Sequence, residues 1–430
     1  IVEMENPNHP TIEKNFIDNS VCSTRTDFKS MVGFDKYPGY VELKQLQAEF
    51  TQEGFEDIYF RLNSGTSTNT TMIDGRSYIN YSGYNYLGLS GNSRVIEAVY
   101  AAIKENGTSA SASRLASGEK PLHRELESLI AGILNVQDAL VFSSGHATNV
   151  YTITSLFGAK DLIIHDALVH NSLQQGAIYS GAMRLVFPHN DYSALEAILA
   201  TYRDKYERVL IITEGVFSMD GDIPNILKLI EIKKRYFAYL MVDEAHSMGV
   251  IGDRGLGVRE LFNLNSNDID IWMGTLSKSF ASCGGYIAGS KELIEYIKYR
   301  SGGFIFSAAI SPSNTAAAIE AIKILLEEPW RVRKIQDNAK LFLSILKDNK
   351  VDIGLSNGSP IIPIIVNKDI NALKLSKALY SKCILAMPII YPAVEKNFAR
   401  VRLFINCLHT EEQIHQSAEI IIDEYHKLFK

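Results

Sequence analysis

The chain has 430 residues, 46% of them hydrophobic and 21% charged, and a formal net charge of −6 at pH 7. The length is typical of two or three structural units, and the negative balance gives no sign of a nucleic-acid binder. No apolar run is long enough to span a membrane, and the first residues lack the pattern of a secretory signal. Four cysteines without a Cys-x-x-Cys pair argue against a disulfide framework or a zinc site and fit a reducing cytoplasm.

The N-terminal part of the chain is polar, and clear periodicity begins only beyond it. We expect the first thirty-odd residues to form an arm. The pattern then predicts a helix over residues 41–50, a loop over 63–71, a strand over 77–81 and an amphipathic helix over 93–106. Ser93 is the predicted N-cap of that last helix and Gly107 its C-cap.

From about residue 120, short β-rich runs alternate with amphipathic helices. The predicted helices cover residues 122–134, 147–157, 172–180, 192–202 and 223–235. The predicted strands cover residues 139–142, 161–165, 184–187, 208–213, 239–242, 269–273 and 284–288. This alternation indicates an α/β fold with a mostly parallel central sheet flanked by helices. Several strands are apolar throughout, as strands covered on both faces should be.

A smaller α+β unit is predicted at the C-terminus. Two long helices, over residues 313–327 and 332–347, lead into it. Its predicted strands are 360–366, 386–390 and 402–406, and its predicted helices are 372–380 and 410–428. We therefore expect an N-terminal extension and arm over residues 1–75, a large domain over 76–320 and a small domain over 321–430.

The most informative residues are an aspartate at the end of a strand and a lysine downstream of it. Asp243 opens the sequence Asp-Glu-Ala-His246, and Lys278 lies in the small-residue loop Thr275-Leu-Ser-Lys-Ser. This pair suggests pyridoxal phosphate (PLP) chemistry, because a buried Asp favours the charged pyridinium and a Lys supplies the Schiff base. An Asp-Glu-Ala-His strand end also occurs in nucleotide-driven helicases, but those need a phosphate loop that this sequence lacks. A turn-capping Asp and a solvated Lys are the simpler alternatives.

Further polar residues follow the neighbouring strands. Ser144-Gly145-His146 leads from a strand into a helix and offers backbone donors to a phosphate, to which Thr275 and Ser277 can add hydroxyls. His170 precedes the next helix, where its ring could stack on a flat aromatic ring. Glu214 and Ser218 follow the strand after that. The carboxyl ends of the strands in an open α/β sheet are where ligands bind, so we expect these groups to converge.

Two more motifs lie outside the alternating region. Asn85 is part of Tyr-Asn-Tyr-Leu-Gly, a stretch of the kind that packs its backbone close to a ligand. Arg402 stands at the predicted start of a strand, and its guanidinium fork suits a substrate carboxylate. Ordinary loops and surface ion pairs are the alternatives for these two motifs.

Taken together, these motifs resemble the α-oxoamine synthases, a PLP-dependent family of fold type I, from Gly39 to the C-terminus. The resemblance implies that Lys278, His170 and Asp243 are catalytic. It assigns cofactor binding to Ser144, Gly145, His146, His170, Glu214, Ser218, Asp243, His246, Thr275, Ser277, Lys278 and Ser307. It assigns substrate binding to Asn85, His170, Ser218 and Arg402, and it assigns no metal.

The resemblance also implies a reaction and an assembly. The expected reaction is the decarboxylative condensation of an α-amino acid with an acyl thioester, carried by coenzyme A or an acyl carrier protein. An aminotransferase, an aldolase and an inactive cofactor-binding subunit are the alternatives. The loop over residues 109–127 is most similar to a subgroup associated with polyketide and lipid assembly lines. The family is homodimeric with shared active sites, but Ala308 replaces a hydroxyl residue in the segment that reaches the phosphate of the neighbouring subunit, where only Ser307 retains one.

Overall fold

The computed structural model describes residues 32–55 and 58–429, so the predicted arm lies mostly outside the described residues. The chain divides into two compact units, Ile1–Tyr59 and Phe60–Lys430. In the first unit, a 3₁₀ turn over Phe34–Lys36 precedes helix α1, Pro38–Gln52, which confirms the helix predicted over 41–50. Proline suits the first position of a helix, because its missing N–H would have no partner there.

The second unit contains three sheets. In chain order its strands are β1 (Asn63–Ser64), β2 (Thr70–Ile73), β3 (Arg76–Asn80), β4 (Asp138–Phe142), β5 (Leu162–Asp166), β6 (Met183–Phe187), β7 (Val209–Glu214), β8 (Tyr239–Asp243), β9 (Ile271–Thr275), β10 (Gly285–Gly289), β11 (Ile361–Asn367), β12 (Ile384–Leu385), β13 (Met387–Ile389) and β14 (Ala399–Phe404). The central sheet has the order β4-β10-β9-β8-β7-β5-β6. Strand β10 is antiparallel to both its neighbours, and the pairs from β9 to β6 are parallel, as predicted.

Helices cover the central sheet and lead into the C-terminal part. They are α2 (Ser93–Asn106), α3 (Pro121–Leu134), α4 (Gly145–Leu156), α5 (Asn171–Tyr179), α6 (Tyr192–Tyr202), α7 (Ile226–Tyr236), α8 (Gly257–Leu261), α9 (Lys291–Arg300), α10 (Gly302–Ile305), α11 (Pro312–Glu327), α12 (Trp330–Asp348), α13 (Asp369–Ser381) and α14 (Glu411–Leu428). All the predicted helices are present, with ends shifted by a few residues. The helices α8, α9 and α10 were not predicted.

The central sheet is buried on both faces, as the apolar strands indicated. Along β7, Val209 and Ile211 pack into one hydrophobic core, while Leu210 and Ile212 pack into another on the opposite face. Because successive side chains of a strand point to opposite faces, this alternation requires apolar residues at every position. The buried strands thus fix the sheet edge from which the polar residues project.

The other two sheets are smaller. Strands β11, β14 and β13 form an antiparallel sheet next to a third hydrophobic core, and β1, β2, β3 and β12 form the other. The predicted domain limit after residue 75 falls in the turn between β2 and β3, and the one after residue 320 falls inside α11. The division into three domains stays a prediction.

Two local predictions are wrong. Residues 63–71 are not all loop, since β1 and the start of β2 lie within them. This antiparallel pair is extended by β3 and by β12, some 300 residues away in the chain, and such a partner leaves no local signal. The N-cap of α2 is Asn92 and not Ser93, because the Asn92 side chain accepts the Arg94 amide. Gly107 is the C-cap, as predicted, with a φ of 76° that suits glycine.

Candidate active site

The predicted site residues converge at the carboxyl ends of β5, β7, β8 and β9. Asp243 is the last residue of β8, Glu214 of β7 and Thr275 of β9, while His170 follows β5. Lys278 lies in the loop after β9 and interacts electrostatically with Asp243, Glu214 and Arg402. Loops from four strands therefore place acidic and basic groups in one cluster, as expected for an open α/β sheet.

Asp243 is held by two hydrogen bonds. Its Oδ2 accepts from Asn149 Nδ2 on α4 at 2.8 Å, and its Oδ1 accepts from the Ala245 amide at 2.9 Å. The residue is 4% exposed. Buried carboxylates need such donors to offset the loss of water. The other atom of the Asn149 amide, Oδ1, is buried and has no hydrogen-bond partner among the described residues.

Glu214 lies beside Asp243, since the two residues are paired across the parallel strands β7 and β8. Burial, followed by the nearby Asp243, raises the pKa of the Glu214 carboxyl well above its usual value. Its Oε1 accepts the backbone N–H of His170. Glu214 therefore holds the loop after β5 against β7.

His170 is the N-cap of α5. Its Nδ1 lies 2.7 Å from Ser172 Oγ and 3.3 Å from the Ser172 amide. The ring of His146 stands edge-on to it, with centroids 6.4 Å apart. Burial of the ring nitrogens lowers the pKa of His170, and the positive charges of Lys278 and Arg402 act in the same direction, against Asp243.

Lys278 is partly buried. Its Nζ lies 5.7 Å from the centre of the Tyr84 ring. Burial lowers the pKa of the Lys278 amine to about 8, although Asp243 and Glu214 oppose the shift. An amine that loses its proton near neutral pH can act as a nucleophile and as a base.

His246 is fixed from two sides. Its Nδ1 lies 2.9 Å from the hydroxyl of Tyr86, which is fully buried. Its ring stacks on that of Phe404, with centroids 6.0 Å apart and planes at 7°. Burial lowers the pKa of His246 well below its usual value, and Lys278 adds to the shift. His246 is therefore neutral at pH 7.

The first turn of α4 lies against the end of β9. A Cβ on Gly145 would come within 2.9 Å of Thr275 Oγ1, so only glycine allows this approach. Ser144 caps the helix, and the N–H groups of its first turn have no partners within the helix. The hydroxyls of Thr275 and Ser277 both point at the Gly284 carbonyl, at 3.0 and 3.4 Å. This helix start is a suitable anion site.

Arg402 reaches the site from β14. Its Nη1 donates to the Ser218 carbonyl at 2.8 Å and lies 3.2 Å from Met219 Sδ. Its Nε is buried and has no hydrogen-bond partner among the described residues. Burial lowers the pKa of the Arg402 guanidinium. A buried cation with an unused donor is suited to a carboxylate ligand.

Two predicted residues are not drawn into this cluster by any described contact. The Asn85 amide is used elsewhere, donating to the Ser67 carbonyl between β1 and β2 at 3.0 Å and accepting the Ser90 amide of its own loop at 3.2 Å. Ser307 borders a small cavity with Ser143 and Arg114 instead. The roles predicted for both residues stay predictions.

Three residues of the cluster were given no role from the sequence. Asn149 and Ser172 bond to Asp243 and His170, and Tyr86 bonds to His246. Asn149 is four residues after Gly145, one turn into the helix whose start was singled out, so its position was a usable signal. Within the described parts of the chain, no group of three or more His, Cys, Asp or Glu side chains is placed to hold a metal.

Comparison with known proteins decides the family. The model of the family described as aminotransferase class I and II matches residues 76–421. The chain belongs to this family. It is 41% identical to the 8-amino-7-oxononanoate synthase of Thermoanaerobacter pseudethanolicus over 80% of this chain and 87% of that protein. The enzyme of the same name from Fervidobacterium nodosum is 37% identical over 90% of this chain and 98% of that protein.

Solved structures agree with this membership of the aminotransferase class I and II family. A serine palmitoyltransferase from S. paucimobilis with bound PLP superposes with a TM-score of 0.87 at 26% identity, covering 94% of this chain and 99% of that chain. An 8-amino-7-oxononanoate synthase from Francisella tularensis superposes with a TM-score of 0.71 at 27% identity, covering 82% and 99%. The protein is thus a fold type I, PLP-dependent acyltransferase of the α-oxoamine synthase type, as the motifs predicted.

The residues present fit PLP. The start of α4 at Ser144-Gly145 presents helix N-terminal N–H groups suited to a phosphate, and Gly145 lets this turn lie against Thr275. The Lys278 amine has a lowered pKa, and Asp243 provides a fixed, buried carboxylate opposite it. The three polar parts of PLP therefore each have a complementary group. The aldehyde has the Lys278 amine, the ring nitrogen has the Asp243 carboxylate, and the phosphate has the start of α4.

Proposed function

We propose that this protein condenses an α-amino acid with an acyl thioester, releasing carbon dioxide and a free thiol and giving an α-amino ketone. The observation that carries the proposal is the half-buried Arg402, whose buried Nε has no hydrogen-bond partner among the described residues, in the same cluster as the Lys278 amine. A substrate carboxylate fits the Arg402 guanidinium, and a neighbouring acidic C–H fits the Lys278 amine. An α-amino acid has both.

We propose the cofactor contacts that the family resemblance implies. Asp243 would face the ring nitrogen, His246 the ring hydroxyl, and His170 one face of the ring. Ser144, Gly145, Thr275 and Ser277 would hold the phosphate. When bound, PLP supplies an electron sink for the negative charge that develops on the amino-acid Cα.

The remaining steps belong to side chains of this protein. Arg402 and His170 would orient the amino-acid carboxylate, which fixes the bond that breaks when carbon dioxide leaves. Lys278 takes the Cα proton as general base, a role that its pKa of about 8 permits near neutral pH. Asn149 and the Ala245 amide both donate to Asp243 and hold its carboxylate in place.

We also propose a homodimer with shared active sites. Its support is the segment around Ser307, where the side chain of Phe306 is 88% exposed and that of Tyr299 is 59% exposed. Exposed aromatic groups of this size are typical of protein interfaces. In such a dimer Ser307 could reach the phosphate in the neighbouring site.

The acyl carrier and the location of the protein belong to the proposal as well. Coenzyme A and an acyl carrier protein both present a thioester, and the assay below separates them.

A cytoplasmic location is supported by the thiols of Cys283, Cys383 and Cys407, which are all unpaired. In the part of the chain that the structure describes, no helix combines the length and apolar content of a membrane span.

The experiment is a thiol-release assay with purified protein and PLP. Glycine, alanine and serine are each combined with the same acyl chain on coenzyme A and on a carrier protein. We expect thiol release that requires one amino acid and one carrier, and none with Lys278→Ala. An aminotransferase would form a keto acid and an aldolase would cleave its substrate, both without thiol release. An inactive subunit would show no turnover.

A further inference from the structure

Two side chains, those of Asn149 and Ser172, link Asp243 to His170 through hydrogen bonds. Asn149 Nδ2 donates to Asp243 Oδ2 at 2.8 Å and to Ser172 Oγ at 2.9 Å. Ser172 Oγ in turn lies 2.7 Å from His170 Nδ1. Asn149 is 2% exposed and Ser172 is 1% exposed, so water cannot replace these partners.

The donors and acceptors of these hydrogen bonds can be followed outward from Asp243. An ionised Asp243 can only accept, so the Asn149 amide must turn its nitrogen towards it. The same nitrogen then donates its second hydrogen to Ser172 Oγ. The hydroxyl hydrogen of Ser172 then remains available to donate to His170 Nδ1.

A second donor fixes the same atom. The backbone N–H of Ser172 points at His170 Nδ1 from 3.3 Å, and a backbone N–H can only donate. A proton on Nδ1 would collide with it. His170 is also the N-cap of α5, where the positive end of the helix dipole disfavours a charged imidazolium. The single ring proton therefore belongs on Nε2.

We propose that Asn149 and Ser172 are positioning residues that hold His170 as a neutral imidazole with its proton on Nε2. In this form His170 can donate a hydrogen bond to the substrate carboxylate, a role that rests on the proposed function. The network also couples the carboxylate at the cofactor nitrogen to the imidazole at the substrate. A charged His170 would instead add a third cation beside Lys278 and Arg402.

The groups that face His170 act together on its ionisation. Lys278, Arg402 and His146 disfavour a positive charge there, and Asp243 favours one. Glu214 contacts only its backbone N–H. The network matters because it determines which nitrogen carries the proton as well as how readily a second proton is bound.

The test is nitrogen NMR of the PLP-bound protein with ¹⁵N-labelled histidine, in which His170→Gln identifies the signals. We expect one protonated and one unprotonated ring nitrogen in the wild type, with Nε2 protonated. Ser172→Ala should mix the two tautomers and raise the KM for the amino acid by about fivefold, the value of one hydrogen bond. The kcat should change less, and Ser172→Thr should restore both readouts.

Asn149→Leu should act in the same direction as Ser172→Ala. Ser180→Ala is the matched control, since Ser180 directly follows α5 and its hydroxyl bonds to nearby backbone, donating to the Ala177 carbonyl at 2.8 Å and accepting the Ala182 amide at 3.1 Å. A wild-type signal with Nδ1 protonated would overturn the proposal, as would ring signals and KM unchanged in Ser172→Ala. The NMR signals do not depend on turnover, so failure of the proposed reaction would leave their outcome readable.

Discussion

In the proposed mechanism, the ionisation of Lys278 controls the chemistry of the site. The pKa of its amine is lowered from 10.5 to about 8 by burial, so the unprotonated fraction rises as the pH rises through 8. We predict that the rate at which PLP attaches to the cofactor-free protein increases with pH, reaches half its maximum near pH 8 and then levels off. Visible absorbance of bound PLP measures it. A midpoint near the ordinary lysine value would contradict the burial effect.

Arg402 should determine affinity for the amino acid. Arg402→Gln removes a charged hydrogen-bond donor, which contributes about 1.5–3 kcal/mol, so we expect the KM for the amino acid to rise about 10- to 100-fold. The KM for the acyl thioester should change little. Steady-state kinetics with each substrate varied in turn measure both values.

Arg254→Gln is the control for Arg402→Gln, because Arg254 is an exposed arginine paired with Glu260. It should leave both KM values unaltered. If Arg402→Gln raises the two KM values equally, the guanidinium does not bind the amino-acid carboxylate.

His189 joins the loops after β5 and β7. Its Nδ1 lies 2.8 Å from Asp166 Oδ1, and its Nε2 lies 3.0 Å from Asp222 Oδ2. Burial alone would lower the pKa of His189, but the two carboxylates outweigh it and raise the pKa to about 10. The loops that carry His170 and Ser218 are therefore held by one half-buried imidazolium between two carboxylates.

The sign of the effect on stability follows from this shift. The pKa is about 6.5 in the unfolded chain and about 10 in the folded protein, so the stabilisation is complete below pH 6.5 and is lost as the pH rises towards 10. We predict that the free energy of unfolding falls more steeply over this range in the wild type than in His189→Gln. Urea unfolding at several pH values measures it. Parallel pH profiles for the two proteins would show that the imidazolium contributes no stability.

The elements that sequence reasoning found are those with a local signal. The buried strands of the central sheet and the long amphipathic helices were predicted because their periodicity is complete within a short window. Strand β1 was missed because it exists only through its pairing in the sheet that ends at β12. Helix α9 did carry a signal, since Ser290 caps it and Ile294 and Ile297 lie on one face, and it was overlooked.

In the site, too, the residues that depend on contacts between distant elements were not predicted. Strand-end positions predicted which polar residues would meet, because parallel strands bring their carboxyl ends to one edge. The partners Asn149 and Ser172 lie on helices, and their contacts depend on how α4 and α5 pack over the sheet. A sequence alone does not specify that packing.

The proposed homodimer predicts what a substitution of an exposed aromatic residue should do. Phe306→Glu would place a charge at an exposed aromatic position beside Ser307, so we expect the protein to become monomeric and to bind PLP more weakly. Light scattering after gel filtration measures the mass. Phe237→Glu is the control, as Phe237 is 84% exposed at the C-cap of α7. A dimer that persists in Phe306→Glu would rule out this surface as the interface.

In the proposed reaction, one turnover loses carbon dioxide and releases a thiol together. It is tested most directly by supplying the amino acid with a ¹³C-labelled carboxyl group, together with the acyl thioester and PLP, and by measuring labelled carbon dioxide and free thiol in the same sample. We predict equal amounts of the two products in the wild type and neither above background in Lys278→Ala. Carbon dioxide without thiol, or thiol release that does not depend on the amino acid, would contradict the condensation.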